Sequence, residues 1–522
     1  MKKALSAILL LLTVCVAHAQ KKVFQEVGED IQSQVKAIYQ DNSLVGYVVF
    51  TQLEKASADS FNYKITIMDE NLNDIGVVKF KENKLFLYDV SFEQDVLCLA
   101  YFKSNFYYYE FPTKKEYKAA QDNEKSSIMT QFLNLDGKII KSNDISVKVT
   151  PSPYSGKVAQ KTFVGSGSLK QSVMLHNVQG KGFALLYGDE STNRVVAYNT
   201  SGTELFTKIV EGESNFSLQS LLTNGQYIYV LLKNHKNEAN YEVLGYHAAD
   251  ASYTFKYIFK DKKGNYLTLH TFGNDPATGN VFASGFILDE NKGNSYDLPK
   301  YFAKGSMAGI YTINFNGPKK SDVSEVYSYW NDGSQSLFNK RGRNLESDTY
   351  TKYKGAFKDF QGNTYFYGSS YIKRTKIGSI IGTVVTLPLF WPPIAIASAG
   401  YTKVKIQNTV LVKQTPKGVL SVENSIDADH GGFYRTNAFN GWSFDTRSYY
   451  TATDVEKKNT HLIINDKKNI FIYSMNGKKV VRTIPHKENG TYTYVFPAKE
   501  GHIMVSEYNK KAKSTTVSIE SL

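Results

Sequence analysis

Phe132-Leu133-Asn134-Leu135-Asp136-Gly137-Lys138 and, 65 residues on from glycine to glycine, Val196-Ala197-Tyr198-Asn199-Thr200-Ser201-Gly202 share one form: an apolar strand, a polar turn and a closing glycine. The glycine allows the positive φ that a tight turn needs, and a preceding Asp or Asn tolerates the same region. Six further segments repeat the form: Ile65 to Met68 leading to Gly76, Tyr257 to Gly264, Ile313 to Gly317, Phe357 to Gly362, Val410 to Gly418 and Ile472 to Gly477. Successive glycines lie 61, 65, 62, 53, 45, 56 and 59 residues apart. The mean of about 57 leaves room for one four-stranded sheet per unit. A second apolar run often follows the turn, as in Gly182-Phe183-Ala184-Leu185-Leu186-Tyr187-Gly188. This predicts an all-β chain, a β-propeller of about seven or eight four-stranded blades, with two β-sandwich domains as the alternative.

Composition agrees. Of 522 residues 42% are hydrophobic and 14% aromatic, with Tyr 37 and Phe 31 against Trp 3. That apolar content excludes a disordered chain, and Tyr and Phe favour pleated, half-buried surfaces. Two cysteines exclude a disulfide scaffold. Cys98, within Val96-Leu97-Cys98-Leu99-Ala100, reads as a small core residue rather than a reactive thiol.

The first residues have the order of a secretory leader. Lys2 and Lys3 precede the apolar run Ala4 to Val16, and Ala17-His18-Ala19 supplies the small residues of a cleavage site. Acylation of Cys15 is the rival reading, opposed by the bulk of Thr13-Val14. Residues 1–19 are therefore read as a signal peptide, and the protein as exported: periplasmic, outer-membrane-associated or extracellular. Losing two of 62 basic residues leaves 60 against 49 acidic, a charge of +11. Residues 20–43 are read as a helical segment, because Val27, Ile31, Val35 and Ile38 are spaced by four, four and three. Residues 44–522 are read as the propeller-like domain.

One segment departs from the strand pattern. Residues 377–402, between Lys376 and Lys403, run 26 positions without a charge. The length suits a membrane helix, but Pro388, Pro392 and Pro393 break it into two short arms. An apolar hairpin inserted in a blade is the expectation, with Leu389, Phe390, Trp391 and Ile394 as candidate membrane or partner contacts.

No catalytic motif is found: no Gly-x-Ser-x-Gly elbow, no His-Glu-x-x-His, no phosphate loop and no calcium loop. No catalytic residue, metal ligand or cofactor is therefore assigned. The densest polar and aromatic stretch follows His430-Gly431-Gly432. There Tyr434, Arg435, Trp442, Asp445 and Arg447 combine ring faces with charges, a pattern suited to carbohydrate or peptide binding. Alternation of aromatic residues into a blade core explains the same pattern without a ligand. Carboxylates in that stretch leave open a carbohydrate-active enzyme. The lysines are spread over hairpin tips, as in Lys260-Asp261-Lys262-Lys263, and form no stripe for nucleic acid.

The leader ending Ala17-His18-Ala19-Gln20, the stretch Leu44-Val45-Gly46-Tyr47-Val48-Val49-Phe50 and the recurrent hairpins together resemble uncharacterised secreted proteins of Bacteroidetes-type bacteria. That resemblance implies secretion and brings no activity. Asn469 to Val480 with Gly490-Thr491-Tyr492-Thr493-Tyr494 is similar to the C-terminal sorting domain of the type IX secretion system, but the chain continues into a further strand at His502 to Glu507, as an ordinary last blade would. The resulting expectation is a non-catalytic binding or scaffold protein, whose partner is a polysaccharide, a peptide or an envelope component.

Overall fold

A computed structural model describes residues 21–25, 32–148, 173–211, 216–234, 240–288, 307–330, 337–375, 402–427, 433–436 and 445–522, apart from positions 42, 58–59, 108, 110, 112, 190–191, 266, 318 and 446. The described strands form eight antiparallel sheets. Seven are consecutive blades of four strands that pair in chain order, from Gln32–Gln40 in blade one to Lys479–Pro485 in blade seven, with the short strand Phe433–Thr436 added to blade six. The eighth joins the two ends of the chain. Thr491–Pro497, His502–Asn509 and Ser514–Ser521 are its three full inner strands, the two-residue Lys487–Glu488 pairs with the start of Thr491–Pro497, and Lys21–Gln25 pairs along Ser514–Ser518 as its outer strand. The protein is an eight-bladed β-propeller closed by its N-terminal strand.

The continuous apolar runs have a simple cause. Each blade has a neighbour on both faces, so alternate residues serve different neighbours. In Val96–Ser104, Leu97 and Leu99 pack with blade one, whereas Cys98 and Ala100 pack with blade three. Cys98 is buried, and burial holds its thiol pKa well above the usual value, in keeping with a core residue. Eight apolar clusters, one at each junction between neighbouring blades, complete the ring.

The repeat differs in detail from the glycine series. Gly137, Gly202, Gly317, Gly418 and Gly477 do lie at turns between third and fourth strands. Gly202, at φ 74, is a case where the backbone requires glycine. Gly362, however, closes the first turn of blade six, so that blade holds two of the eight units. Gly264 lies between blades four and five, Gly76 lies within the outer strand of blade one, and blade eight contributes none.

Among the described residues of 20–43 the expected helix is not formed; Val27 and Ile31 lie outside them. Lys21–Gln25 and Gln32–Gln40 are strands, and Val35 and Ile38 point to opposite faces of the second, one exposed and one buried. Pairing with Ser43–Lys55 along the whole segment outweighs a weak helical spacing. The described α-helix is instead Lys114–Asp122, between the second and third strands of blade two, with Thr113 Oγ1 capping the Glu116 N–H. The leader and the apolar run 377–401 lie outside the described residues. The run interrupts blade six between its second strand, Thr364–Thr375, and its third, Thr402–Gln414. Residues 469–480 belong to blade seven, and Thr491–Pro497 opens blade eight.

Candidate functional site at the channel mouth

The first strands of successive blades line the central channel and end on the same face, where short turns lead into the second strands. Because most inner strands carry a polar residue at or next to this end, the face gathers polar side chains from blades far apart in sequence. In blade three Asn177 Nδ2 donates to Asp41 Oδ1 of blade one at 2.8 Å and to buried Glu93 Oε2 of blade two at 3.0 Å. Thr223 Oγ1 of blade four donates to the Asn177 carbonyl at 2.6 Å, and Asn274 Nδ2 of blade five donates to the Thr223 carbonyl at 3.0 Å. Lys358 Nζ of blade six donates to Asp275 Oδ2 at 2.6 Å, and Asp275 Oδ1 accepts the Ala277 N–H at 2.9 Å. A hydrogen-bonded arc thus joins blades one to six.

The Lys358 and Asp275 side chains are both buried, so each ion depends on the other for solvation. Lys358 also lies 5.7 Å from the centre of the Phe282 ring, a cation–π distance. Local backbone geometry holds these groups in place. The inner strands of blades five and six bulge at Leu269/Thr271 and Tyr353/Gly355. Opposite each bulge stands a glycine, Gly285 or Gly368, where a Cβ would approach the Thr268 or Lys352 carbonyl oxygen to 1.9 or 2.1 Å. These positions admit no larger residue without moving the strand that carries the site.

Around the ion pair is a half-open cavity of about 400 Å³, walled by Tyr39 and Asp41 of blade one, Asn274 and Phe282 of blade five, Lys358 of blade six, Thr460 of blade seven and Pro497 and Glu500 of blade eight, among others. Two polar atoms in its wall are buried without a hydrogen-bond partner among the described residues, Asn274 Oδ1 and Thr460 Oγ1. Thr460 is only 3% exposed. Orphaned buried polar groups are costly and uncommon, and both of these belong to residues that line the cavity. A second hollow of about 340 Å³ shares Tyr39 and is lined by Asp89, Val90, Ser91, Leu175, His176 and Asn177. Burial pushes the Asp89 carboxyl up, opposed by the N–H groups of Leu175 and Val90, and pushes the His176 imidazole down. Among the described residues no group of three or more His, Cys, Asp or Glu is placed to hold a metal ion.

Of the residues singled out in sequence, Asp445 and Arg447 lie elsewhere, at the junction of blades six and seven. Arg447 is buried, with Nε 3.3 Å from Asp466 Oδ2 and Nη1 donating to the Gln407 carbonyl at 2.6 Å and to Ser369 Oγ at 3.2 Å. Its N–H donates to Asp445 Oδ1, and Lys354 Nζ stands 3.4 Å from Asp445 Oδ2. These bonds tie two blades together. Beside them burial, and then the Lys354 charge, push the Lys352 ammonium pKa down to about 8. Tyr434 and Arg435 are in the short strand Phe433–Thr436, paired with the start of Thr402–Gln414, and Trp442, Leu389, Phe390, Trp391 and Ile394 lie outside the described residues. Asp445 and Arg447 are therefore brought together, away from the channel mouth. The mouth residues carry no motif: each is a single polar residue at a strand end or turn, and the gathering is made by closing the ring. The available signal was the recurrence of Asp, Asn or Thr where an inner strand stops.

Neither a protein-family profile nor a curated protein matches the chain. Among solved structures it is similar to the Dos1 propeller, at 8% identity and TM-score 0.44 over 96% of this chain and 94% of that one. It is also similar to the polysaccharide lyase Uly1, at 12% identity and TM-score 0.39 over 83% and 90%. A protein of unknown function from Bacteroides caccae aligns at 11% identity and TM-score 0.28 over 63% and 84%. Likeness at this level carries no functional assignment.

Proposed function

We propose that the protein is an exported, non-catalytic binding protein whose ligand sits in the channel mouth. The observation that carries the reading is the pair of orphaned buried groups, Asn274 Oδ1 and Thr460 Oγ1, in the wall of one open cavity built by five blades. A ligand satisfying both removes the cost of leaving them unpaired. A thermal-shift screen of soluble polysaccharides, peptides and small metabolites against the wild type and the Asn274→Ala/Thr460→Val variant tests it. At least one compound is expected to stabilise the wild type and not the variant. Equal stabilisation of both, or no hit, overturns the reading.

Export rests on the leader. It is supported by the position of the ring-closing strand, which starts at Lys21 and survives a cut after Ala19. N-terminal sequencing of the exported chain should begin at Gln20; a start beyond Lys21 would remove part of that strand and contradict the assignment. Contact of Leu389, Phe390, Trp391 and Ile394 with the envelope belongs to the same proposal. Unchanged fractionation after deletion of 377–400 would overturn that part.

A further inference from the structure

We infer that the channel mouth takes a small organic cation, a protonated amine carrying an apolar body of about the size of one aromatic ring. The inference rests on the mouth being the binding site, and adds what the site selects. The first ground is charge. The whole chain carries +13, yet the charged residues lining the cavity are three carboxylates, Asp41, Asp275 and Glu500, against one ammonium, Lys358. Lys358 is taken up by Asp275. Two carboxylates on adjoining blades remain, each giving one oxygen to a protein donor: Asp41 Oδ1 to Asn177 and Glu500 Oε1 to Ser43. The excess in the cavity is negative, on a protein that is positive.

The second ground is the kind of group left unsatisfied. Asn274 Oδ1 can only accept a hydrogen bond, and Thr460 Oγ1 can accept one. With two carboxylates nearby, the site wants donors. An ammonium group offers three donors and no acceptor, and brings the opposite charge.

The third ground is an apolar strip that runs from the mouth along the junction of blades one and eight. Tyr39 lines the cavity and is 40% exposed, and Val35, on the same face of its strand, is 60% exposed. On the facing blade Tyr494 and Phe496 are 49% and 44% exposed. Their strand's other face, bearing Val495, packs with blade seven. Met504, the cross-strand partner of Phe496, packs towards blade one, so Tyr494 and Phe496 look the same way. Pro497, next in the chain, lines the cavity. Four large apolar side chains left open beside one acidic cavity suit a ligand with a cationic head and an apolar body. The ring faces of Tyr39 and Phe496 add a surface that attracts organic cations. The volume of about 400 Å³ is in the range of small-molecule sites.

Calorimetric titration of the full chain with three probes tests the inference: 2-phenylethylamine, putrescine as cation without the apolar body, and 2-phenylethanol as apolar body without the charge. The amine with the ring is expected to bind at least about tenfold more tightly than either control. The Asp41→Asn/Glu500→Gln variant should lose about tenfold for the amines and nothing for the alcohol; asparagine tolerates the φ of 48 at position 41, so the turn is kept. Phe496→Ser should erase the advantage over putrescine. Equal affinity for 2-phenylethanol overturns the cationic head, and equal affinity for putrescine overturns the apolar body. If no amine binds but a polysaccharide or peptide from the wider screen does, with Asn274→Ala/Thr460→Val abolishing it, the amine inference falls and the binding role stands. If nothing binds, both fall.

Discussion

Blade one meets two neighbours in different ways. Towards blade two it buries a large apolar core that includes Ile65, Ile67, Leu87 and Leu99, with Phe50 and Tyr63 stacked at 5.1 Å. Inner-strand polar groups close the contact as well: Leu87 N–H donates to Gln34 Oε1 and Lys36 Nζ to the Tyr88 carbonyl. Towards blade eight the buried cluster is much smaller, Leu44, Tyr47, Met68, Leu72, Val517 and Ile519, and the inner strands leave Val35, Tyr39, Tyr494 and Phe496 open. Here the contact is held largely at the surface, by Lys22 with Asp74, Ser43 with Glu500, and Lys499 with Glu70 and Asn71. Such pairs are worth little in water and are screened by salt. A junction between consecutive blades is made by packing. The junction between the chain ends is made by the closing strand and surface ion pairs, which leaves apolar area free for other use.

The strongest way to break this contrast is to injure the packed side. Lys358→Met leaves Asp275 as an uncompensated buried charge at the junction of blades five and six, and should cost about 3–5 kcal/mol in urea unfolding. Replacing both, Lys358→Met with Asp275→Leu, should recover much of that loss. A single variant within about 1 kcal/mol of wild type would show that the arc at the mouth does not hold the blades. Next in size, Leu87→Ala removes a side chain with no exposure from the core between blades one and two, for about 3 kcal/mol.

Acid should act on the packed side too. His270, on the inner strand of blade five with Phe286 edge-on at 4.8 Å, has its pKa pushed by burial from 6.5 down to about 4. The unfolded chain takes up this proton as pH falls through about 6.5, whereas the folded chain resists until about 4. Stability is therefore present above pH 6.5 and is lost between 6.5 and 4, by about 3 kcal/mol for this residue. His270→Gln should flatten the fall in melting temperature over that interval. An unchanged acid limb would place the loss at other groups, such as His176.

How much of this could be read from sequence follows from the same contrast. Hairpins are local, so Phe132 to Lys138 and Val196 to Gly202 announce their strands and turns, and eight units stand in the sequence, two of them in blade six and none in blade eight. Blade eight carries no such unit because its fourth strand, Lys21–Gln25, is about 490 residues from its third, with no turn between them. The same distance hid the inner strand of blade one. Its apolar residues serve two interfaces of unequal depth, so Val35 and Ile38 mimic a helical spacing instead of alternating cleanly. The channel mouth was illegible for a third reason: Tyr39, Asn274, Lys358, Thr460 and Glu500 meet only when the ring is closed. Arg447 and Asp445 stood out in sequence because their stretch is dense in aromatic and charged residues, and that density joins two blades.

The smallest expected effect is the most telling for the open side. Tyr494→Ser removes a large ring from a position about half exposed, where little burial is lost, so stability should change by less than about 1 kcal/mol at low salt. Leu87→Ala, a smaller truncation, should cost about three times as much, because its site is closed on all sides. If Tyr494→Ser instead costs 2 kcal/mol or more, the strip packs as core and leaves no surface for a ligand. Sodium chloride raised from 50 to 500 mM then separates the two junctions. Asp74→Asn, which removes the exposed charge that pairs with Lys22 at the closing strand, should have a small cost at low salt that vanishes at high salt, because the charge is screened over distances of about 10 Å or less. The Leu87→Ala cost should be the same at both concentrations, since nothing in that core is charged.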